Sequence, residues 1–296
     1  MHLFGCRKAR QAGRAFFLCG LLSFLVACES VEGVLSERDE IANRVAESSD
    51  LSKFYVKTGK FELAGYQRFS RPGNPVVSIY IEGDGLAFLS ANVASRDPSP
   101  RDPVSLRLAA RDPAANVAYL ARPCQYVNAK FQSSCHYTYW TKARFAPEVV
   151  QEMNTAVDAI KRASGAGEIR LYGYSGGGVL AAILAGMRTD VLSLATFASP
   201  LDHAVWTKSK GFTPLSSSVN AIDRLGNSVR VAQTHFIGKD DDVVPVGAVS
   251  SYVEAVRRAG GKADLLVLDG VDHRCCWADR WPGLDPYRET AAAPGS

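Results

Sequence analysis

The chain has 296 residues, of which 47% are hydrophobic and 22% are charged. These fractions are typical of globular proteins and exclude disordered, collagen-like and coiled-coil classes. The formal charge of +4 comes from the first 28 residues, which hold four of the 34 bases and no acid, so that 30 bases and 30 acids remain after them. A neutral body without a basic patch argues against nucleic acid as a partner.

The first 27 residues predict a lipoprotein signal peptide. A basic stretch, residues 7–14, precedes an apolar run, residues 15–27, that is too short to span a bilayer as a helix. The run ends in Leu-Val-Ala-Cys, which resembles the bacterial lipobox. This resemblance implies cleavage before Cys28, acylation of Cys28 and attachment to the periplasmic face of the inner or outer membrane. The alternative is an ordinary secretory signal that is cut near Ala27.

Export would place the later cysteines in an oxidising compartment. Besides Cys28 these are Cys124, Cys135, Cys275 and Cys276, and an even number predicts structural disulfides. We expect a local bond between Cys124 and Cys135, which bracket a short polar segment. The adjacent Cys275 and Cys276 can bond to each other or to the earlier two. No CxxC-type spacing accompanies them in the sequence, which argues against a zinc site.

Strand-like and helix-like stretches alternate along the chain after a predicted tether and first helix, residues 28–60. In chain order they are strands 61–69 and 76–81, helix 104–110, strand 117–120, helix 147–163, strand 169–174, helix 179–187, strands 191–197 and 234–237, helix 246–259 and strand 263–268. Such alternation requires crossover connections. It therefore predicts an α/β domain, residues 61–281, with a mostly parallel central sheet and helices on both faces. Residues 282–296 are predicted to be a flexible tail.

Two stretches interrupt this alternation. Residues 123–145 are rich in aromatic and polar side chains, and residues 199–229 are polar and rich in turn formers. Excursions that follow the carboxyl ends of strands line the ligand crevice in sheets of this kind. We expect both to wall a pocket, with ordinary surface loops as the alternative.

Residues 173–177 read Gly-Tyr-Ser-Gly-Gly and match the pattern Gly-x-Ser-x-Gly, with a predicted strand before and an apolar helix after. The pattern places its serine on a sharp strand-to-helix turn, for which the flanking glycines leave space. Ser175 is therefore the candidate nucleophile. A glycine-rich phosphate-binding turn is the alternative, but the lysine that accompanies such a turn is missing.

A serine nucleophile needs a base that is held in the correct tautomer. His273 follows the last predicted strand and is the candidate base. His235 lies within a predicted strand and is expected to be a core residue, whereas His136 and His203 lie in the two excursions. Residues 238–245, Gly-Lys-Asp-Asp-Asp-Val-Val-Pro, follow another strand and offer a carboxylate to orient the base.

The order Ser, Asp, His, together with Gly-x-Ser-x-Gly and Gly-x-x-Asp-x-x-Val-Pro, resembles the α/β-hydrolase superfamily. The resemblance implies that Asp241 is the acid and that the backbone N–H of Gly176 forms half of an oxyanion hole. The second donor would be Asp84, with Gly85 as the alternative. Family members commonly have His-Gly in this loop, whereas residues 82–85 read Glu-Gly-Asp-Gly.

Two carboxylates beside a developing anion would slow the reaction unless they are protonated, turned away or hydrogen-bonded. We expect Glu82 to accept a structural hydrogen bond beneath the site, with a solvated loop carboxylate as the alternative. The segments Arg-Pro-Cys-Gln-Tyr and Tyr-Trp-Thr-Lys-Ala-Arg-Phe are also similar to a group of bacterial exported hydrolases.

The resemblance implies an exported, membrane-anchored serine hydrolase that cleaves acyl bonds through an acyl-enzyme. Carboxylic esters are the expected substrate class, in a small-molecule or lipid-like substrate, and no metal or organic cofactor is implied. Two alternatives remain at this point. One is a non-catalytic binding or scaffold lipoprotein on the same fold, and the other is a peptidase or acyltransferase that uses the same triad.

Overall fold

The computed structural model describes residues 31–71, 73–127 and 132–287. The predicted signal peptide, Cys28 and residues 288–296 lie outside them. The strands are β1 Ser52–Lys57, β2 Glu62–Phe69, β3 Val76–Ile81, β4 Phe88–Ser90, β5 Val93–Ala94, β6 Asn116–Leu120, β7 Glu168–Tyr174, β8 Val191–Phe197, β9 Ala232–Gly238 and β10 Ala263–Leu268. The helices are α1 Val31–Glu47, α2 Val104–Arg111, α3 Pro147–Ser164, α4 Gly176–Met187, α5 His203–Lys210, α6 Gly247–Arg258 and α7 Trp277–Arg280.

Eight of these strands form one sheet in the order β1-β2-β6-β3-β7-β8-β9-β10. Within this sheet, as far as the described residues show it, β2 alone runs antiparallel to its neighbours, and the strands β6, β3, β7, β8, β9 and β10 pair in parallel. The predicted mostly parallel sheet is therefore confirmed. The carboxyl ends of the parallel strands meet at one side of the sheet, which we call the carboxyl edge.

Helices cover both faces of the sheet, as predicted. On β7, Ile169 and Leu171 belong to the core that contains α3, α4 and α6, whereas Tyr172 and Tyr174 belong to the core that contains α1, α2 and α7. Successive side chains of a strand point to opposite faces, so a strand buried on both faces is apolar on both. The apolar runs of the central strands have this cause.

The packed domain extends beyond the predicted limits of residues 61–281. At the amino-terminal side, α1 ends at Glu47 and β1 pairs with β2 along its whole length, where a tether and helix were predicted. At the carboxyl-terminal side, the Asp285 carboxylate accepts a hydrogen bond of 3.0 Å from the Tyr172 hydroxyl, and the Tyr287 hydroxyl lies 3.0 Å from Thr234 Oγ1. Residues 282–287 are therefore part of the fold and not of a tail.

The four cysteines within the described residues form two disulfide bonds. Cys124 and Cys135 are joined, with their Cα atoms 5.7 Å apart, and Cys275 is joined to Cys276. Cys124 is fully buried against the sheet, so the first bond fastens the aromatic excursion to the core. No helix among the described residues is both long and apolar enough to cross a membrane.

Candidate active site

Ser175 alone makes the turn between β7, which ends at Tyr174, and α4, which begins at Gly176. Its φ of 50° and ψ of −124° are sparsely populated by residues with a side chain, so the turn stores backbone strain. Glycine permits the close approach that imposes this geometry. A Cβ atom on Gly177 would overlap the backbone oxygens of β3 and the loop after it.

Ser175, His273 and Asp241 form a continuous chain of contacts at the carboxyl edge. Ser175 Oγ lies 3.3 Å from His273 Nε2, and His273 Nδ1 lies 3.0 Å from Asp241 Oδ2. The Asp241 side chain is completely buried, and its other oxygen accepts hydrogen bonds of 2.9 and 2.8 Å from the backbone N–H groups of Val243 and Val244. The structure thus brings together the three residues that the motifs single out.

Two side chains fix the backbone that carries the histidine. The Tyr174 hydroxyl donates a hydrogen bond of 2.9 Å to the carbonyl oxygen of His273, and Trp277 Nε1 donates one of 3.0 Å to the same oxygen. The rings of Tyr174 and His273 also lie 5.5 Å apart. Because Tyr174 immediately precedes Ser175, the nucleophile turn and the histidine loop are positioned by one another.

The other described histidines do not join this chain of contacts. His235 is fully buried in β9 and bonded to Thr196 Oγ1 at 2.9 Å. Burial lowers the pKa of His235 to about 3, so this side chain stays neutral as a core residue. His203 is buried against Phe145, and His136 contacts Thr138 in the aromatic excursion.

The loop after β3 lies directly against the nucleophile turn. A Cβ atom on Gly83 would come within 3.3 Å of Ser175 Cβ, and one on Gly176 would overlap the Asp84 carboxylate. Gly85 has a φ of 62° and faces the carbonyl oxygen of Pro98 too closely for any side chain. Two of the candidate donors, Gly176 and Asp84, therefore lie together beside Ser175, and Gly85 is the next residue of the same loop.

Two buried arginines hold the Asp84 carboxylate. Arg122 binds one of its oxygens and Arg144 binds the other. The side chains of Arg122 and Arg144 are only 4% and 8% exposed, which makes these pairs internal and not surface contacts. Burial alone would raise the pKa of Asp84, but the charges of Arg144 and Arg122 outweigh burial and lower that pKa. Asp84 is therefore ionised, and its charge is compensated.

The sequence motifs assign no role to Arg122 or Arg144. Arg122 lies just beyond the carboxyl end of β6, the sheet neighbour of β3. Its position after a predicted strand could therefore have placed it at the carboxyl edge from the sequence. Arg144 ends the aromatic excursion, and Arg122 also donates to its backbone oxygen. The pairing of both arginines with Asp84 is visible only in the folded chain.

The two excursions meet beside residues 238–245, which carry Asp241 and which we call the acid loop. The Arg144 guanidinium lies over the Trp206 ring, 5.7 Å from its centroid. Trp206 Nε1 in turn donates a hydrogen bond of 2.9 Å to the carbonyl oxygen of Val243, two residues after Asp241. One continuous series of contacts therefore runs from the loop after β3 through both excursions to the acid loop.

Glu82 lies beneath this site and is only 1% exposed. Its Oε1 atom accepts a hydrogen bond of 2.8 Å from the N–H of Gly83, in agreement with the expected structural acceptor. Burial raises the pKa of Glu82 to about 7, although the Gly83 N–H and the Tyr119 hydroxyl act in the opposite direction. The carboxyl is therefore protonated in a large fraction of molecules near neutral pH.

Comparison with known proteins identifies the fold. No protein-family model matches the sequence, and no curated protein matches it. The chain is similar in structure to Est1E from Butyrivibrio proteoclasticus, with 14% identity and a TM-score of 0.51 over 75% of this chain and 90% of that one. It is also similar to the esterase domain of a Rhodothermus marinus protein, with 15% identity and a TM-score of 0.51 over 77% and 92% of the two chains.

A third structure, the acylaminoacyl peptidase of Pyrococcus horikoshii, has 10% identity and a TM-score of 0.53 over 76% of this chain and 37% of that one. At identities this low, the structural similarity establishes the fold and leaves the activity open. The protein has the α/β-hydrolase fold, and its structural neighbours include esterases and a peptidase.

The Glu82→Gln variant tests the buried carboxyl. The folded-state pKa of about 7 lies above the ordinary 4.5, so the stabilising contribution of the protonated form is complete below pH 4.5 and is lost as the pH rises through about 7. At about pH 8 we expect Glu82→Gln to be more stable than the wild type by about 3 kcal/mol, and at about pH 4 to be equally stable. Urea unfolding at both pH values measures the difference.

A matched variant, Glu254→Gln, changes a largely exposed carboxylate on α6 and should show no such pH-dependent difference. An equal stability difference between Glu82→Gln and the wild type at both pH values would contradict the assignment of a raised pKa to Glu82.

Proposed function

We propose that the protein is an exported, lipid-anchored serine hydrolase that cleaves acyl bonds, with carboxylic esters as its substrate class. The observation that carries this proposal is the chain of contacts from Asp241 through His273 to Ser175, with the serine on a strained turn. Three residues that are far apart in sequence have no shared structural reason to meet in this order. The similarity of fold to esterases supports the proposal.

In the proposed reaction, Ser175 Oγ attacks the acyl carbon while His273 Nε2 accepts the serine proton. Asp241 accepts the Nδ1–H hydrogen bond and stabilises the imidazolium that forms. His273 then protonates the leaving alcohol, which leaves an acyl group on Ser175. Water then attacks the acyl-enzyme with His273 as base. This step releases the acid product and restores the free serine.

The oxyanion that forms on the acyl carbonyl is assigned to the backbone N–H of Gly176 and to that of Asp84, with Gly85 as the alternative second donor. Gly176 is the first residue of α4, where the helix dipole also favours negative charge. The pairing of Asp84 with Arg122 and Arg144 supports this assignment, because an uncompensated carboxylate at that position would repel the oxyanion.

Export and anchoring rest on the amino-terminal sequence. The basic stretch, the short apolar run and the lipobox-like tetrapeptide ending in Cys28 support cleavage before that cysteine and its acylation. The two disulfides of the described residues are compatible with an oxidising compartment. The enzyme would then act at the periplasmic face of a membrane on a small or lipid-like acyl substrate, without metal or organic cofactor.

Hydrolysis of p-nitrophenyl esters of graded chain length tests the proposed activity. We expect Ser175→Ala and His273→Ala each to lower kcat/KM by about 10⁴-fold or more, because the residues of a triad act as a unit. Ser250→Ala is a matched control, since this serine is also half-buried but lies on α6. A p-nitroanilide peptide assayed in parallel separates esterase from peptidase, and ester hydrolysis that survives in Ser175→Ala would refute the proposal.

The Arg144→Met variant tests the compensation of the Asp84 charge. If Asp84 loses one of its two arginine partners, its negative charge repels the oxyanion more strongly. We therefore expect kcat for ester hydrolysis to fall about 10-fold to 100-fold with little change in KM. Arg144→Lys, which keeps the charge, should recover part of the loss. Arg111→Met removes a half-exposed arginine on α2 and should leave kcat unchanged. A rise in KM alone, with kcat intact, would contradict this role.

A further inference from the structure

The hairpin formed by β4 and β5 exposes large apolar side chains. Phe88, Leu89 and Val93 are 41%, 58% and 51% exposed. Single exposed apolar residues are common on protein surfaces, but three on one short hairpin give it an apolar surface that a partner would cover. We call these three residues the apolar hairpin tip.

The hairpin stands on the same loop that faces the nucleophile. The N–H of Leu86 donates to the carbonyl oxygen of Pro98, at 3.1 Å, and the N–H of Ser95 donates to that of Ala87, at 2.9 Å. Trp140 Nε1 adds a hydrogen bond of 3.0 Å to the carbonyl oxygen of Ser95. The apolar hairpin tip is therefore presented on a fixed base at the carboxyl edge, a few residues beyond Gly85.

Helix α1 begins at this same edge. β1 runs antiparallel to β2, and β2 antiparallel to β6, so β1 points in the direction of the parallel strands and its first residue lies at the opposite edge. Because α1 ends only a few residues before β1, the helix runs from the carboxyl edge towards that opposite edge. Its amino-terminal end therefore lies on the side of the candidate active site.

An internal ion pair fastens α1 to the base of the hairpin. Arg38 Nη1 donates to the Asp97 carboxylate at 2.8 Å and to the carbonyl oxygen of Ser99 at 3.1 Å. The Arg38 and Asp97 side chains are only 8% and 10% exposed, so this pair holds the two segments together inside the protein. The middle of α1 and the segment just after the hairpin are thus neighbours in a single packed unit, seven residues after the helix begins.

The sequence places the proposed lipid close to the start of α1. Cys28 precedes Val31, the first residue of α1, by three positions, and three residues span at most about 11 Å. The seven residues from Val31 to Arg38 add about 10 Å of helix, so acyl chains on Cys28 would enter a bilayer within about 22 Å of the base of the hairpin. Two exposed arginines, Arg96 and Arg101, follow the hairpin in the sequence and suit the anionic headgroups of a membrane surface.

We propose that the apolar hairpin tip docks on the surface of the lipid bilayer that holds Cys28, so that the candidate active site at the carboxyl edge lies next to the membrane. This inference rests on the anchoring part of the proposed function. It also identifies the class of substrate, namely acyl compounds that reside at or in the lipid surface. Phe88, Leu89 and Val93 would lie between the headgroups while Arg96 and Arg101 contact their phosphates.

Fluorescence quenching in vesicles tests this docking. The lipidated full chain carrying Leu89→Trp is bound to vesicles of phosphatidylethanolamine and phosphatidylglycerol, with or without brominated acyl chains. We expect the added tryptophan to emit at shorter wavelength and to be quenched by the brominated lipid, beyond the quenching of the native tryptophans. Val93→Trp, at a second exposed position of the same tip, should give the same result.

Leu266→Trp is the matched control, because Leu266 is 44% exposed on strand β10, at the end of the sheet beyond β9. It should show no quenching beyond that of the wild type. Equal quenching at positions 89 and 266, or none at positions 89 and 93, would overturn the docking. Failure of the proposed activity is scored separately, because the ester assay with soluble substrates does not depend on vesicles.

Discussion

The buried carboxylate of Asp84 is the constraint on which the arrangement of the site depends. It lies against the first residue of α4, where an uncompensated negative charge would repel the oxyanion of the proposed reaction. Arg122 and Arg144 supply that compensation from two different segments, one just after β6 and one at the end of the aromatic excursion. The ion pairs therefore join the loop after β3, its sheet neighbour and an excursion into one unit.

Direct contacts also position the candidate nucleophile, Ser175, and the candidate base, His273. The strained turn at Ser175 exists because glycine lets α4 start against the end of β3. Tyr174, one residue earlier, holds the histidine loop through its hydroxyl, and the acid loop is held by its own backbone N–H groups. Trp206 links Arg144 to the acid loop. These buried contacts join the loops to one another directly, in addition to their connection through the sheet.

The features that could be predicted from sequence are those with local patterns. The alternation of strand-like and helix-like runs predicted the parallel sheet, and the pattern at residues 173–177 predicted the turn that carries Ser175. Each of these patterns lies within a few consecutive residues. The pairing of Asp84 with Arg122 and Arg144 could not be predicted, since it joins positions 38 and 60 residues apart without a repeating pattern. β1 was missed because its polar and apolar residues fit a tether as well as an edge strand, and the β4–β5 hairpin was missed because its strands are very short.

The central claim is that Ser175 is an activated nucleophile, and covalent labelling with a fluorophosphonate probe tests it most directly. The account predicts one probe adduct per chain, located by peptide mass spectrometry on Ser175 and absent from Ser175→Ala. An unlabelled wild-type protein, or an equal adduct in Ser175→Ala, would contradict it.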